Sequence, residues 1–393
     1  MPIAIEKVRA ETPGCQHVAH FNNAGAALMP SPVFETVANY QLLEATIGGY
    51  EAGAKQEEQL QNFYNAAARL VKCHPSEIAF VENATRAWDM AFYSLKFSPG
   101  DKILTDQAAY ASSYIAFLQL ARQKGVLIEV IPDDEHGQIS VSELEKRIDS
   151  RVKLIAITHI PTQGGLVNPA EAVGKIARQA GIFYLLDATQ SAGQMPLDVS
   201  QLGCNAMCAT GRKFLRGPRG TGFLYVDKAS LLGMEPVFLD LHAATWAARD
   251  HYTIQESAMR FETWECNYAN KLGLAAAIDY ALSMGLEAIW QQVQKLAAHL
   301  REALSNISGL KLRDLGLQKC GIVTFTLDGI DPNTIMLKLR EQAINVSVSV
   351  QEYARLDLEA RKIPSLVRAS VHYYNTEEEI SRLCQALERI KTL

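Results

Sequence analysis

Asp187 closes the apolar run Ile182-Phe-Tyr-Leu-Leu-Asp187, a stretch of buried-strand length. A carboxylate at that place is either the N-cap of a following helix or a group aimed at a ligand, because ligands of open α/β sheets collect beyond the carboxyl ends of the strands. Lys213 follows a second apolar stretch, Ala206 to Thr210, inside Thr210-Gly-Arg-Lys-Phe-Leu-Arg-Gly-Pro-Arg-Gly-Thr-Gly222. A lone lysine is usually a solvated loop cation. The flanking glycines favour instead a tightly turned backbone that can approach a phosphate closely. Glu82-Asn-Ala-Thr-Arg-Ala87 stands at a strand-to-helix junction, where unpaired backbone N–H groups suit an anion. Thr85 as the helix N-cap is compatible with that role.

A lysine and a carboxylate so placed suggest pyridoxal phosphate. That cofactor needs a lysine to hold its aldehyde and an acid to keep its pyridine nitrogen protonated, so that the ring accepts the electrons of a carbanion. Its phosphate needs donors at a helix start.

The elements that would position these groups alternate along the chain. Glu77–Val81, Lys102–Thr105, Val126–Ile131, Val152–Thr158 and Ile182–Leu186 are continuously apolar, and helical patterns separate them: Thr85–Phe97, Ser113–Lys124 and Ala170–Ala180. Ser142 and Glu145 have capping-box spacing for a further helix. Continuous rather than alternating apolar strands indicate an α/β fold with a mostly parallel sheet and helices on both faces. The pattern changes near residue 265. A long helical region, Asn270–Ile307, breaks at Gly285, and strands Ile322–Leu327, Ile344–Val350 and Leu366–Val371 follow with a helix between the first two, Asn333–Gln342. Thr376 and Glu379 form a capping box that opens a terminal helix to about Ile390. A large domain over 15–265 and a smaller α+β domain over 266–393, joined by the N-terminal segment 1–14, are expected.

Composition excludes several classes. The chain has 393 residues, 48% hydrophobic and 21% charged, which rules out disordered and fibrous chains. A net charge of −5 gives no reason to expect nucleic acid. The seven cysteines form no disulfide framework, and Cys204 and Cys208 sit in an apolar run as core residues. Cys15, His17 and His20 lack a helical metal-site context, so no metal is expected. No signal-peptide core or membrane-length apolar run is present, and a cytoplasmic protein is the default expectation. Hydrolase, NTPase and nicotinamide motifs are absent.

The segments Leu185-Leu-Asp-Ala-Thr-Gln-Ser-Ala-Gly193, Gly211-Arg-Lys-Phe214 and Gly217-Pro-Arg-Gly-Thr-Gly222 resemble the class V aminotransferase family of fold-type I pyridoxal-phosphate enzymes. Phe21-Asn-Asn-Ala-Gly25, Thr158-His-Ile-Pro-Thr162, Asn168-Pro169, Arg260-Phe-Glu262 and Arg368-Ala-Ser-Val-His-Tyr-Tyr-Asn-Thr-Glu377 extend the likeness over almost the whole chain. The family includes cysteine desulfurases, selenocysteine and cystine lyases, and isopenicillin N epimerase. The resemblance implies that Lys213 is the cofactor lysine, Asp187 the pyridine-nitrogen partner and Gln190 the ring-hydroxyl partner. It places Ala84, Thr85, Arg86, Thr210 and Arg212 around the phosphate, and makes Arg368 the clamp for a substrate α-carboxylate; a surface salt-bridge partner is the alternative for Arg368. Asn23 and Gly25 are expected at the substrate. A homodimer with its site at the subunit interface is implied as well, with specificity set between residues 22–26, the region around Tyr353 and the partner subunit's loop near Trp246.

Some positions depart from the family's pattern. Cysteine desulfurases carry a nucleophilic cysteine on a loop shortly before the arginine matching Arg368, but Gly321 to Arg368 contains none. Persulfide formation on that residue is thus not expected. Many relatives stack a histidine on the cofactor from the segment that here reads Ala109-Tyr-Ala-Ser-Ser113; Tyr110 stacks in its place, donates a proton, or merely packs. The family often has histidine at Arg212, and desulfurases often have asparagine at Thr162. Glu265 falls near a threonine that holds the partner subunit's phosphate, which leaves that contact open, and Trp264 either lines the site or packs at the interface. The expected reaction is β-elimination on a cysteine- or cystine-type amino acid, giving pyruvate, ammonia and a sulfur species; the alternatives are transamination and epimerisation.

Overall fold

The computed structural model describes residues 3–391. Its centre is a seven-stranded sheet in the order Ile78–Val81, Gly222–Val226, Ala206–Thr210, Phe183–Asp187, Val152–Thr158, Lys102–Asp106, Leu127–Ile131. Gly222–Val226 runs antiparallel to both its neighbours, and the other strands are mutually parallel. The apolar runs are continuous because both faces are covered. Ile155, Ile157, Tyr184 and Leu186 enter one core with the helices Glu57–Val71, Ala170–Ala180 and Tyr268–Met284. Leu154, Ala156 and Leu185 enter the opposite core with Trp88, Phe92 and Phe117. Alternate residues of one strand thus feed two cores, as the pleat requires.

A four-stranded antiparallel sheet, Leu310–Leu312, Ile322–Leu327, Ser365–Ser370, Ser347–Val350, forms the smaller unit. Leu286–Ser305, Pro332–Arg340 and Glu377–Lys391 contribute Leu300, Leu339, Leu383 and Leu387 to its core. Ala19–His20 pairs with Ile344–Asn345, and Phe21 enters this small core. Tyr268–Met284 packs on the helices Ser31–Ile47 and Glu57–Val71 of the large layer, and the chain then bends by 79° into the next helix. Gly285, at φ +81°, makes the bend in a conformation disfavoured for other residues. No single described helix is long and apolar enough to cross a membrane.

Several expected boundaries shift for local reasons. Ser140, not Ser142, caps the helix Val141–Lys146, its hydroxyl accepting from the Glu143 N–H. Asn83, not Thr85, caps Ala84–Tyr93 by accepting from the Arg86 N–H. The Thr376–Glu379 box forms as expected, with both reciprocal bonds at 3.3 Å. Ile344–Val350 divides into two short strands at Val346.

Candidate active site

Interstrand register brings the chemistry together. Thr158, Asp187 and Cys208 are lateral neighbours at the carboxyl edge of three parallel strands, and all three line one cavity. Asp106 ends the next strand, beside the point where successive strands begin to add on the other side of the sheet. The cavity is also lined by Asn83, Ala84, Thr85, Trp88, Tyr110, Ser112, Ser113, Ile160, Thr162, Thr189, Gln190, Thr210, Arg212 and Lys213.

Lys213 sits in the short loop after Ala206–Thr210. Gly211 shapes that loop: its N–H donates to Thr221 O at 2.9 Å, and a Cβ there would run into the Thr221 hydroxyl. The lysine is 9% exposed, and its Nζ bonds to no described residue. Burial, then Arg212 and Arg368, push its amine down to about 7, with Asp187 opposing. A buried amine without a partner is unfavourable for stability alone and suits a nucleophile. The amine is neutral above that value. Capture of an added aldehyde at Nζ is therefore expected to accelerate from roughly pH 6 to 8 and level off beyond; rates followed by absorbance that keep rising towards pH 10 would show an ordinary lysine.

Asp187 Oδ1 accepts from the Thr189 N–H at 2.9 Å and from Cys208 Sγ at 3.6 Å. Oδ2 accepts from no described residue, leaving it for a ligand. Gln190 is buried, and its Oε1 has no partner. At the other wall the N–H groups of Ala84 and Thr85 open the helix Ala84–Tyr93 and donate to no described residue. Arg212 lies near Tyr110 and donates to Gly25 O. Thr210 donates to Thr221 O at 3.1 Å and lines the cavity. Arg368, on Ser365–Ser370, is buried and tied to Thr162 and to Asn22 Oδ1, and its Nε has no partner. Burial and Arg212 lower its guanidinium to about 10.

These groups fit pyridoxal phosphate. They offer an unpaired amine for the aldehyde, a free carboxylate oxygen for the ring nitrogen, an orphaned amide oxygen for the ring hydroxyl, and a helix start with an arginine for the phosphate.

Three expected site residues are placed elsewhere. The Arg86 guanidinium lies 4.7 Å over the Phe238 ring and does not line the cavity, because the helix start turns it outward. Asn23 is fully buried. Its amide donates to Ser370 O at 2.7 Å and His20 O at 3.2 Å and accepts from Tyr374, so it ties the N-terminal segment to the small sheet. Gly25 contributes only its carbonyl, to Arg212, and a Cβ there would strike the Asn22 amide. Asn22, one residue before Asn23, faces Arg368 instead, since the Gly25 and Ala26 N–H groups turn back onto its carbonyl. Asn83, Trp88, Ser112, Ser113, Thr158, Ile160, Thr189 and Cys208 escaped the sequence reading. Of these, Asn83 carried a signal: asparagine before a helix is a preferred cap. Trp264 is half exposed and lies outside this cavity.

The family model for class-V aminotransferases matches residues 19–383. The chain belongs to that family. A cysteine desulfurase of Serratia proteamaculans is 30% identical over the full length of both chains. The apo structure of a cysteine desulfurase from Thermococcus onnurineus NA1 superposes with a TM-score of 0.93, at 28% identity, covering 100% of this chain and 99% of that one. The cystine C–S lyase C-DES, solved with its product cysteine persulfide, shares the fold at a TM-score of 0.86 and 24% identity, covering 96% of this chain and 99% of its own. The fold is the fold-type I architecture of this family, and the chain is an enzyme.

Proposed function

We propose that this class-V enzyme is a pyridoxal-phosphate-dependent C–S lyase that β-eliminates a cysteine- or cystine-type amino acid, releasing pyruvate, ammonia and a sulfur species. The observation that carries this reading is Lys213: a buried, unpaired amine lowered to about 7, facing a carboxylate across a cavity that Arg212 lines and that Arg368 adjoins through its bond to Thr162. When bound, the cofactor supplies an electron sink for the pair left as the substrate Cα–H bond breaks. Lys213 Nζ would hold its aldehyde carbon, Asp187 Oδ2 its ring nitrogen, Gln190 and Thr162 its ring oxygen. Ala84, Thr85 and Arg212 would hold its phosphate.

Arg368 binds the substrate carboxylate with its bidentate fork, which fixes Cα relative to Lys213. Released Lys213 then takes the α-proton at Nζ; a base that titrates near neutrality is matched to that task. The residues near the sulfur decide its fate. Gly321 to Arg368 contains no cysteine, and the region preceding Arg368 folds as the strand Ser347–Val350, a turn at Gln351–Tyr353 and the helix Arg355–Ala360. Among the described residues, Cys208 is the one cysteine that lines the cavity. Burial and Asp187 push its thiol well up, so it donates to Asp187 rather than attacking sulfur. Sulfur therefore leaves as a small species. The relatives' names support C–S cleavage over transamination or epimerisation.

The enzyme works, on this reading, as a cytoplasmic homodimer. The exposed apolar residues Leu232, Val237, Phe238, Leu241 and Trp246 all fall in one segment and support a subunit contact there. Incubation of the reconstituted protein with cystine and with cysteine S-conjugates is expected to yield stoichiometric pyruvate in a coupled lactate dehydrogenase assay. No pyruvate from any of them would overturn the lyase reading.

A further inference from the structure

Two helices begin in the cavity, and the cofactor has one phosphate. Ala84–Tyr93 follows the strand that stands first in the order of the large sheet, and on the reading above its open N–H groups are taken by that phosphate. Ala111–Lys124 follows Lys102–Asp106, sixth in the order, and its early residues Ser112 and Ser113 line the same cavity. No side chain caps this second start. Tyr110 holds the N-cap position without a side-chain bond to the helix, and the N–H groups of Ala111, Ser112 and Ser113 donate to no described residue. A helix of 14 residues gives such donors a partial positive charge of roughly half a unit, which favours an anion.

A second, independent feature points to a ligand. Ser113 is 6% exposed, lines the cavity, and its hydroxyl bonds to no described residue. A buried hydroxyl without a partner is unfavourable by itself, because its lost hydration is not replaced. Together with the three N–H groups it makes a set of donors for one anion. The surrounding charges admit an anion. Tyr110 lies beside Arg212 and Arg368. Asp187 is the one carboxylate lining the cavity among the described residues, and its free oxygen is the partner of the cofactor's ring nitrogen. Asp106, on the strand before the helix, is buried, and burial pushes its carboxyl up to about 8, so it is mostly neutral at pH 7.

We infer that the start of Ala111–Lys124, with the Ser113 hydroxyl, is a subsite for a second acidic group carried on the sulfur of the substrate. The inference rests on the proposed function and adds to it the class of sulfur substituent. Arg368 takes the α-carboxylate, and Tyr110, beside Arg368 and immediately before the helix, links that place to the helix start. One substrate is then gripped at both ends, with its C–S bond between the two acids. Holding both ends fixes the leaving sulfur as well as Cα, which lowers the orientational cost of elimination. Cystine fits this pattern, because its second α-carboxylate lies beyond the sulfur pair. A neutral S-alkyl cysteine does not fit.

The test uses two ligands that cannot react. Adipate has the chain of S-carboxymethylcysteine with carbon for sulfur and no amino group, and adipic monoamide replaces one carboxylate by a neutral group of the same size. Isothermal titration into the holoenzyme is expected to show adipate binding about tenfold or more tighter than the monoamide, the scale of one charge-assisted contact. Ser113→Ala is expected to cut that preference about threefold or more. Ser113→Asp sets a carboxylate at a helix start, where it suits the fold, and is expected to abolish the preference while the monoamide still binds. A wild-type preference of no more than about twofold, the statistical ratio for a symmetric diacid, would overturn the subsite, as would an unchanged preference in Ser113→Asp. Failure of both ligands to bind would overturn the Arg368 clamp and the subsite together. Pyruvate release from S-carboxymethylcysteine and from its amide reads the lyase separately. Pyruvate from neither would overturn the lyase reading, while the adipate preference would still establish the subsite.

Discussion

Lys213→Ala is expected to lower turnover by about 10³-fold or more and to abolish the visible absorbance of the reconstituted protein. The two losses have separate physical origins. One is the covalent anchor, which no other described residue can replace, because Lys213 is the one lysine lining the cavity. The other is the base, whose amine is neutral near pH 7 only because it is buried beside Arg212 and Arg368. Folding should survive, since Nζ bonds to no described residue and its loss leaves no hydrogen-bond partner stranded. Steady-state pyruvate release and an absorbance scan read the two effects independently. A variant that keeps its band and more than a tenth of its turnover would remove Lys213 from the mechanism.

Arg216, three residues on, is expected to give a large stability effect. It is 1% exposed and stands at φ +61°, a conformation that costs a non-glycine residue about 1 kcal/mol or more. Each of its guanidinium nitrogens donates: Nε to Leu28 O at 2.8 Å, Nη1 to Tyr373 OH at 2.7 Å, and Nη2 to Thr12 Oγ1 at 2.5 Å. The rings of Tyr374, Tyr373 and Tyr280 lie 4.5, 5.2 and 5.7 Å from it. Among the described residues no carboxylate bonds to it, the Glu11 carboxylate accepting instead from the Tyr280 hydroxyl at 2.6 Å, so the aromatic faces and oriented dipoles carry the charge. Arg216→Ala would leave those acceptors unpaired and open a cavity between the N-terminal segment, the lysine loop and the small sheet. A loss of about 3–5 kcal/mol is expected, seen as a lowered urea midpoint. Arg216→Lys keeps the charge without the fork and should fall between. An unchanged midpoint in Arg216→Ala would show that this junction does not limit stability.

Neither the cation nor its three aromatic neighbours stood out in the sequence, and the reason is distance along the chain. Arg216 reads as one more basic residue in a glycine-rich loop, and its partners lie at Thr12, Leu28 and Tyr373. The features that were legible are local. Asp187 and Lys213 each follow a continuous apolar strand, so their positions at the strand ends are set by a few neighbouring residues. The Thr376–Glu379 box and the break at Gly285 are equally short-range and appear as expected. Errors of one or two residues arose where neighbours of like chemistry compete. Asn23 and Asn22 look alike in sequence, but a single turn puts one into the small-sheet network and the other on Arg368. Thr85 and Asn83 both serve as caps in general, and the helix start selects Asn83.

By itself the sequence determined the alternating α/β architecture, the lysine and carboxylate that can engage a cofactor, and the absence of a cysteine between Gly321 and Arg368. Each of these is written in strand-length apolar runs or in residue identity, without reference to distant parts of the chain. The tertiary structure alone decided which side chains meet. Register places Thr158, Asp187 and Cys208 side by side, and docking of the small sheet sets Arg368 on Thr162 and, through it, on Gln190. The bond from Arg368 to Thr162 joins residues 206 positions apart, and it exists because two separate cores must pack against each other. No local periodicity records that packing.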